Sequence, residues 1–355
     1  MKIAITADLH LTNREKHPER FHALENILDQ LLEQEISVLI IAGDLFDASC
    51  TNPGVFEKTV SKKKYAGIDL TIIPGNHDPL LSEGTFSLPN IRYITRPQAI
   101  TFADTIPFVF IPYQSGTSMG EVLASGQFSL KDGAWVLVGH GDWLSGTGQK
   151  NTYESGTYMP LSGRDILLHK PGKVFLGHIH GRMDSLTVHY PGSPCAVDPT
   201  ETGFRSFLIF DTDTWLASPC VVSTDMLFFN ETFTIIPLED EETFLIRLIA
   251  SRIKGWGLSA GQQDKVRVRV KARGYSSDRS RLARVIREQF QDYAFADNGQ
   301  AELSEVKVSN DTTLGQIATL VKKKIDLEEF HPGPDEPDRD EILLKALHTI
   351  YGEKS

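Results

Sequence analysis

KVFLGHIHGR, residues 173–182, joins a short apolar run to two histidines that a single residue separates. Side chains at positions i and i+2 of an extended chain point to the same side, so His178 and His180 can face one small object. A metal ion suits this position, because imidazole is a common metal ligand. The stretch therefore predicts a buried strand that ends in a pair of metal ligands.

The same arrangement recurs earlier in the chain, where apolar, β-rich runs end abruptly in polar clusters. These clusters are Ala7-Asp8-Leu9-His10, Gly43-Asp44-Leu45-Phe46-Asp47, Gly75-Asn76-His77-Asp78 and Gly139-His140-Gly141-Asp142. Such continuous apolar runs are typical of strands buried on both faces, in a sheet covered by helices. Apolar residues at helical spacing within residues 18–35 predict one covering helix. Because α/β folds place their sites at the carboxyl ends of strands, the clusters are expected to converge.

The clusters offer carboxylate oxygens, an amide oxygen and imidazole nitrogens, but no thiolate. The candidate ligands are Asp8, His10, Asp44, Asn76, His140, His178 and His180. This donor set suits divalent Mn, Fe or Zn rather than a structural zinc cage. If Asp44 bridges, two ions each obtain four protein ligands and keep positions open for water and a phosphoryl group. Any one cluster alone is also explained as a turn with a satisfied polar side chain; the five in this order favour the metal centre.

Together the clusters resemble the signatures of the calcineurin-like metallophosphoesterases: D-x-H, G-D-x-x-D, G-N-H-D or G-N-H-E, G-H and G-H-x-H. The resemblance covers about residues 1–200 and implies an α/β fold, a four-layer α/β–β/α sandwich. By the family's roles, one ion is held by Asp8, His10 and His180, the other by Asn76, His140 and His178, with Asp44 bridging. His77 would be the non-ligand histidine that contacts the phosphate and protonates the leaving oxygen, with Asp78 orienting its ring.

From about residue 204 the pattern predicts a second, smaller α/β unit. Strands are expected within residues 204–211, 228–237, 265–274 and 302–309, and helices within residues 240–254, 277–290 and 314–324. HPGPDEPDRDE, residues 331–341, is an acidic, proline-rich linker by composition, and the residues after it predict a helix with one apolar face. The expected domains are a catalytic domain over 1–203, a small α/β capping domain over 204–330, and a linker with a C-terminal helix over 331–355.

The net charge of −11 argues against a nucleic-acid-binding protein on average, but the positive charge is concentrated locally. Basic residues alternate along one predicted strand at Lys265, Arg267, Arg269, Lys271 and Arg273, so one face of that strand is basic. Further arginines follow on the next predicted helix, at Arg279, Arg281, Arg284 and Arg287. A phosphate backbone is a natural partner for such a surface. The alternative is an edge strand whose charges prevent aggregation.

GDLFD at residues 43–47 and YPGSP at residues 190–194 resemble the Mre11/SbcD nuclease branch of the family, in which a small C-terminal domain caps the active site and contacts DNA. The chain departs from that branch at Leu11-Thr12, where the branch continues Leu-Gly, and in the loop over residues 146–165. The resemblance implies a manganese-type DNA exonuclease or endonuclease of DNA repair, with Fe²⁺ or Zn²⁺ as alternative ions. Its expected partners are DNA, a coiled-coil ABC-type ATPase of the SbcC/Rad50 kind, and a second copy of the chain in a homodimer. The C-terminal helix either docks that ATPase or packs on its own domain.

Two other functions stay open. One is a phosphodiesterase or phosphatase that acts on a small molecule such as a nucleotide. The other is a DNA-binding scaffold whose metal centre is not catalytic, although a structural site has no need of a non-ligand acid such as His77.

The remaining features predict a cytoplasmic protein without a membrane partner. Three cysteines without a CxxC pair argue against a disulfide framework. The N-terminal apolar run reaches Asp8 too soon for a signal peptide, and no window approaches the roughly 20 apolar residues of a membrane span.

Overall fold

A computed structural model describes residues 1–50, 52–79, 83–102, 106–126, 128, 130–144, 156–237, 240–296, 299–330 and 336–352. The chain divides into two compact units, Met1–Asp225 and Met226–Ser355. Residues 146–155, the first half of the 146–165 loop, and the first five residues of the expected linker lie outside the described residues.

The first unit alternates strands with short helices. Its strands are β1 (Lys2–Thr6), β2 (Val38–Ala42), β3 (Asp69–Ile73), β4 (Ile91–Tyr93), β5 (Gln98–Thr101), β6 (Pro107–Ile111), β7 (Val136–His140), β8 (Trp143–Leu144), β9 (Leu161–Ser162), β10 (Lys173–Gly177), β11 (Met183–Asp184), β12 (Val188–Tyr190), β13 (Ser206–Asp211) and β14 (Leu216–Val221). Its helices are α1 (Pro18–Glu33), α2 (Gly54–Val60), α3 (Met119–Ala124) and α4 (Gly163–His169).

Two six-stranded sheets lie face to face at the centre of this unit. Their orders are β14-β13-β1-β2-β3-β4 and β11-β12-β10-β7-β6-β5. Ile5 and Ile40 of one sheet pack against Phe108, Val138 and Phe175 of the other in a shared core. Helices α1 and α2 cover the outer face of the first sheet, and α3 and α4 lie on the outer face of the second. The fold is therefore the four-layer α/β–β/α sandwich expected from the sequence.

The inner strands owe their position to continuous apolar runs. All five residues of β2 are buried, with Ile40 in the core between the sheets and Leu39 and Ile41 in the core beneath α1. Strands β1, β2 and β3 run parallel to one another, as do β7 and β10 in the other sheet. The polar clusters follow the carboxyl ends of these five strands, which is where α/β sheets build their sites.

The first unit extends further along the chain than the sequence pattern predicts. Strand β13 pairs antiparallel with β1, and β14 pairs antiparallel with β13, so both continue the first sheet. The expected boundary after residue 203 thus differs from the division after Asp225. Short strands look alike in sequence whichever sheet they join, and pairing with β1 depends on contacts between distant parts of the chain.

The second unit is a small parallel sheet with helices. It contains β15 (Leu227–Ile235), β16 (Val266–Ser276), β17 (Ala294–Phe295) and β18 (Glu302–Val308), and α5 (Glu241–Gly255), α6 (Arg279–Gln289), α7 (Thr312–Leu327) and α8 (Arg339–Ile350). Strand β16 is central, with β15 on one side and β17 and β18 on the other. In the described part of the chain, no helix combines the length and the apolar character that crossing a membrane requires.

The C-terminal helix α8 packs on its own unit. Leu343 and Leu347 are buried in a cluster with Ile236, Tyr275 and Ala318. The ring of Tyr351, just after the helix, stacks on Tyr275 at a centroid distance of 3.8 Å. Of the two roles considered for this helix, the structure shows packing on its own unit.

Candidate metal centre

The seven predicted ligands meet in one cluster at the carboxyl ends of β1, β2, β3, β7 and β10. The Nε2 atoms of His10 and His180 lie 3.0 Å apart. Oδ2 of Asp44 lies 3.7 Å from Nε2 of His10 and 3.3 Å from Nε2 of His140. Donor atoms that share one ion at about 2.0–2.2 Å are themselves roughly 3 Å apart, so these spacings suit metal coordination. Asp44 faces histidines of both halves, as a bridging ligand would.

The other half of the cluster is organised around Asn76. Its Oδ1 lies 2.9 Å from Nε2 of His140 and 3.1 Å from Nδ1 of His178. Nδ1 of His140 lies 2.9 Å from the carbonyl oxygen of Ala42 and is therefore the protonated nitrogen. Nε2 of His140 then faces two acceptor oxygens, from Asn76 and Asp44, and either a second proton or a cation must lie between them.

Asp8 gives an independent test of whether a metal fits. Its Oδ1 accepts a hydrogen bond from the backbone N–H of His178 at 2.9 Å. Its Oδ2 is buried and has no hydrogen-bond partner in the described part of the chain. Burial raises the pKa of Asp8 to about 6. A buried carboxylate oxygen without a donor is costly unless it meets a cation, so Asp8 fits a metal ligand.

Within the described ranges of the chain, three overlapping groups of side chains could each hold an ion. They are Asp8 with His10 and His180, Asp8 with Asp44 and His140, and His10 with Asp44 and His77, and within each group the donor atoms lie within 4.8 Å of one another. The first two groups contain only predicted ligands, and the third includes His77, whose predicted role is that of a non-ligand acid. The residues present therefore fit divalent metal ions.

Electrostatics keep two of the candidate ligand imidazoles neutral and favour protonation of a third. Burial lowers the pKa of His10 and of His178 to about 3, so both rings are neutral near pH 7 and keep a lone pair. Burial disfavours the charged form of Asp44, but the imidazoles of His140 and His10 outweigh that effect and hold its pKa below the ordinary value. Burial also opposes protonation of His140, yet the carboxylates of Asp44 and Asp8 raise its pKa to about 9.

The backbone at the cluster is strained. The left-handed φ angles are 54° at Asp8, 45° at His10, 49° at Asp44 and 98° at His178. Each such residue costs on the order of 1–3 kcal/mol and persists where surrounding structure enforces it. Arg20 of α1 is 6% exposed and donates a hydrogen bond to the carbonyl oxygen of His10, at 2.5 Å. Gly43 has a φ of 93°, and a Cβ atom there would lie 2.1 Å from Nδ1 of His140, so the turn before Asp44 requires glycine.

His77 and Asp78 lie beside the cluster with different contacts. The ring of His77 meets that of His10 edge-on at a centroid distance of 4.8 Å, and its backbone N–H donates to Oδ1 of Asp44 at 2.8 Å. The carboxylate of Asp78 accepts the backbone N–H of Gly75 at 2.7 Å and that of Phe46 at 3.1 Å. Asp78 thus ties together the loops after β2 and β3, and its predicted effect on the His77 ring stays a prediction.

Two carboxylates that the sequence pattern did not assign also lie against ligand histidines. Oε1 of Glu201 lies 2.7 Å from Nδ1 of His180. Oδ1 of Asp142 lies 3.7 Å from Nε2 of His178, and its Oδ2 accepts the backbone N–H of Tyr158 at 2.7 Å. Asp142 directly follows Gly139-His140-Gly141, so its position in a polar cluster could have indicated a place near the metal ligands. Glu201 lies in a loop 21 positions after His180 and outside every polar cluster, so no local pattern pointed to it.

Two tyrosines form an aromatic wall beside the cluster. The ring of Tyr158 lies over that of His178 at a centroid distance of 4.8 Å, and that of Tyr113 lies 6.4 Å from His140. Both line a cavity of about 410 Å³ whose other walls include Ser115, Thr117 and Glu121. The cavity offers room for part of a substrate next to the candidate metal ligands.

The five residues predicted to contact DNA lie in the second unit. Arg267, Arg269, Lys271 and Arg273 alternate with buried residues along β16, and Lys265 directly precedes the strand. Because β16 is the central strand of its sheet, the explanation by edge protection is wrong. Glu305 of β18 pairs with Lys271 at 2.5 Å, so acidic side chains share this face.

The helix arginines lie on the other side of the same sheet. Val266, Val268, Val270 and Ala272 of β16 pack in one core with Leu282, Val285 and Ile286 of α6. The alternate positions, which carry the strand arginines, face away from α6. Arg281 pairs with Glu242, and Arg284 lies 4.0 Å from Glu288. The strand and helix arginines therefore form two separate surfaces rather than one.

Comparison with known proteins finds a family match to most of the first unit. A family model described as calcineurin-like phosphoesterase matches residues 1–209. The DNA double-strand break repair protein Mre11 of Nanoarchaeum equitans (strain Kin4-M) is 34% identical over 84 residues, which are 21% of this chain and 23% of that protein. The chain thus matches less than a quarter of the length of this curated relative.

Several solved structures are similar at low identity. A novel archaeal phosphodiesterase has a TM-score of 0.31 at 15% identity, over 62% of this chain and 100% of that one. GAP50, the anchor in the inner membrane complex of Plasmodium, has a TM-score of 0.39 at 10% identity, over 63% and 89%. Purple acid phosphatase PPD1 of yellow lupin (Lupinus luteus) has a TM-score of 0.39 at 12% identity, over 62% and 52%. At these scores the likenesses carry no argument about function.

Proposed function

This chain belongs to the calcineurin-like phosphoesterase family, and we propose that it is a metal-dependent DNA nuclease of the Mre11/SbcD kind that hydrolyses phosphodiester bonds in DNA repair. The observation that carries the choice of DNA is the basic face of β16 in an acidic protein, because edge protection does not explain it. The similarity to Mre11 over 84 residues supports the same choice.

The proposed cofactor is a pair of divalent ions, Mn²⁺ first, with Fe²⁺ or Zn²⁺ as alternatives for this donor set. Asp8, His10 and His180 would hold one ion, Asn76, His140 and His178 the other, and Asp44 both. When bound, such a pair supplies Lewis acidity and a nucleophile at neutral pH for in-line displacement at phosphorus.

The chain's own residues supply the proton transfer and the positioning. His77 is half-buried beside His10, at the border of the cluster, where its imidazole can donate a proton to the departing sugar oxygen. Its backbone N–H donates to Asp44, so the main chain at position 77 is held against the ligand set. Asp78 holds the two loops that carry Asp44 and His77 in register.

Binding of DNA would use the second unit. Arg267, Arg269 and Arg273 place guanidinium groups at alternate positions of β16, which suits a repeating phosphate backbone, while Lys271, the fourth basic residue of this face, is paired with Glu305. Contacts of this kind position a duplex without reading its sequence, so the proposed nuclease has no base preference from this face. An ABC-type ATPase and a second copy of the chain are further proposed partners.

A second candidate is hydrolysis of a small phosphodiester such as a nucleotide. The cavity beside Tyr113 and Tyr158 favours it, since about 410 Å³ next to the ligand cluster suits a small molecule with an aromatic base. Both candidates use the same metal centre and differ only in what lies beyond the phosphate.

One experiment separates the two candidates. The purified chain with added Mn²⁺ is assayed on end-labelled linear duplex DNA and, in parallel, on a small chromogenic phosphodiester, with His77→Ser as the control for contaminating nucleases. Degradation of DNA by the wild type and not by the variant supports the nuclease. Cleavage of the small ester alone would reject it in favour of the second candidate.

A further inference from the structure

Glu201 contacts a candidate metal ligand from behind. The side chain lies in the segment between β12 and β13 and is only 6% exposed. Its Oε1 lies 2.7 Å from Nδ1 of His180. The other ring nitrogen of His180, Nε2, lies 3.0 Å from Nε2 of His10, where the ligand atoms converge. The two nitrogens of this ring therefore face a carboxylate and the candidate metal position respectively.

The carboxylate is itself held by several donors. Oε2 of Glu201 accepts hydrogen bonds from the hydroxyl of Ser193 at 2.7 Å and from the backbone N–H of Val197 at 3.2 Å. Nη2 of Arg205 lies 3.3 Å from the same oxygen, and both charged side chains are nearly fully buried. With its second oxygen engaged in this way, Glu201 presents Oε1 to His180 in one orientation.

Arg205 contacts the backbone of His180 as well as the carboxylate of Glu201. Its Nε donates to the carbonyl oxygen of Ser193 at 2.9 Å, and Nη2 donates to the carbonyl oxygen of His180. The backbone N–H of Ser193 donates to the same carbonyl of His180 at 3.1 Å. Backbone and ring of His180 are thus both held by the 193–205 segment.

These contacts decide which tautomer His180 adopts. A carboxylate accepts a proton and cannot donate one when ionised, so Nδ1 carries hydrogen and Nε2 keeps its lone pair. The reverse tautomer would set the Nδ1 lone pair against the carboxylate. Nδ1 of His140 instead meets a backbone carbonyl, that of Ala42, and Nδ1 of His10 has no hydrogen-bond partner in the described part of the chain.

We propose that Glu201, held by Ser193, Val197 and Arg205, is a positioning residue of the metal centre that accepts the Nδ1 proton of His180 and directs Nε2 at the metal ion. Partners of this kind orient a ligand ring and raise its basicity, and their loss lowers metal affinity. This inference rests on the metal centre of the proposed function, but not on the identity of the substrate.

Metal affinity gives the first test. When Mn²⁺ is titrated into the metal-free protein and the heat of binding is measured, Glu201→Gln should bind about 10–100-fold more weakly than the wild type. Glu33→Gln, the same chemical change at an exposed position of α1, should bind as the wild type does. Equal affinity in Glu201→Gln would overturn the inference. Failure of the wild type to bind Mn²⁺ would instead reject the proposed function.

The tautomer gives a second readout that a purely structural role would not move. In ¹⁵N-labelled protein loaded with diamagnetic Zn²⁺, the His180 ring, assigned with a His180→Asn variant, should carry its proton on Nδ1. In Glu201→Gln, this Nδ1 proton should have a different chemical shift or exchange faster with solvent. A proton on Nε2 of the wild-type ring would overturn the inference. If Glu201→Gln does not fold, Glu201→Asp, which keeps the charge but withdraws the oxygen, is titrated instead, and wild-type affinity there would also overturn it.

Discussion

The ring of His77 meets that of His10 edge-on at 4.8 Å, while the backbone N–H of His77 donates to Oδ1 of Asp44 at 2.8 Å. One residue is thus tied to two candidate ligands, one through its ring and one through its main chain. The main-chain contact does not depend on the imidazole, so a substitution at position 77 can remove the ring and still leave Asp44 in place.

Replacing His77 by Ser should leave metal binding intact and lower turnover by about 100-fold or more, the range expected for loss of a general acid. Metal content is measured by mass spectrometry and turnover with a small chromogenic phosphodiester and Mn²⁺. His22→Ser, at an exposed position of α1, should keep both properties. Unchanged turnover in His77→Ser would remove the assigned acid.

Replacing Asp44 by Ala should empty or disorder the metal pair, because this carboxylate faces histidines of both halves of the cluster. The expected result is less than one bound Mn²⁺ per chain after dialysis and no measurable hydrolysis. Asp69→Ala removes an exposed carboxylate at the start of β3 and should behave as the wild type. Full metal occupancy in Asp44→Ala would show that Asp44 is not a ligand.

Without metal, stability should fall as pH rises through the slightly alkaline range. The pKa of His140 is raised from 6.5 to about 9 in the folded protein, despite burial, by Asp44 and Asp8. The folded state then binds more protons than the unfolded state between these pH values, so the free energy of unfolding decreases with rising pH. Urea unfolding in EDTA at pH 6.5, 7.5 and 8.5 measures this slope.

Two controls check the cause of that slope. Metal-free Asp44→Asn should lose most of it, because the carboxylate that contributes most to the raised pKa of His140 is gone. Added Zn²⁺ should reverse the trend in the wild type, since metal binding requires release of the proton. An identical slope in wild type and Asp44→Asn would assign the effect to other groups.

Changing Arg267, Arg269 and Arg273 together to Ala should weaken DNA binding and reduce the dependence of log Kd on log salt, by about one unit for each lost phosphate contact. Fluorescence anisotropy with labelled duplex DNA at several salt concentrations measures both. Hydrolysis of the small phosphodiester should not change. Equal loss on both substrates would indicate a folding defect.

A charge-matched control lies on the opposite face of the same sheet. Arg279, Arg284 and Arg287 of α6 changed to Ala remove the same charge from a separate surface. This variant should keep most of the salt dependence of the wild type. If it loses as much affinity as the strand variant, the strand face is not the DNA surface.

Replacing Leu347 by Ala should destabilise the second unit by about 2–5 kcal/mol, the usual range for a buried leucine. Leu347 lies on the face of α8 that packs against the rest of the second unit, and its side chain is fully buried. Leu327→Ala, at a leucine of α7 that is 75% exposed, should change stability little. Equal effects, measured by urea unfolding, would show that α8 does not pack there in solution.

The ligand set could be predicted from sequence because each ligand lies within a few residues of a strand end. His178 and His180 share a side by local spacing, and Asp8 and His10 follow the end of β1. The positions of the buried strands can also be predicted from short stretches of sequence, since continuous apolar runs mark strands buried on both faces. The four-layer fold was expected from the resemblance, and the structure shows it.

The residues that hold the ligands could not be predicted in the same way. Glu201 reaches His180 from 21 positions further on, and Arg20 reaches the carbonyl of His10 from α1. No spacing rule links such pairs, because the connecting loops have no regular period. The bonds from the backbone N–H groups of Gly75 and Phe46 to the Asp78 carboxylate were not predicted either, because Phe46 belongs to a different loop.

By itself the sequence determined the strand-end clusters, the family and the alternation of basic residues along residues 265–273, since all of these are local patterns. Only the tertiary structure decided that β16 is central, that β13 and β14 complete the first sheet, and that Glu201 contacts His180. The physical reason is that strand pairing and buried hydrogen bonds join residues far apart in the chain. Which distant groups meet depends on how all the layers pack together, and no short stretch of sequence contains that information.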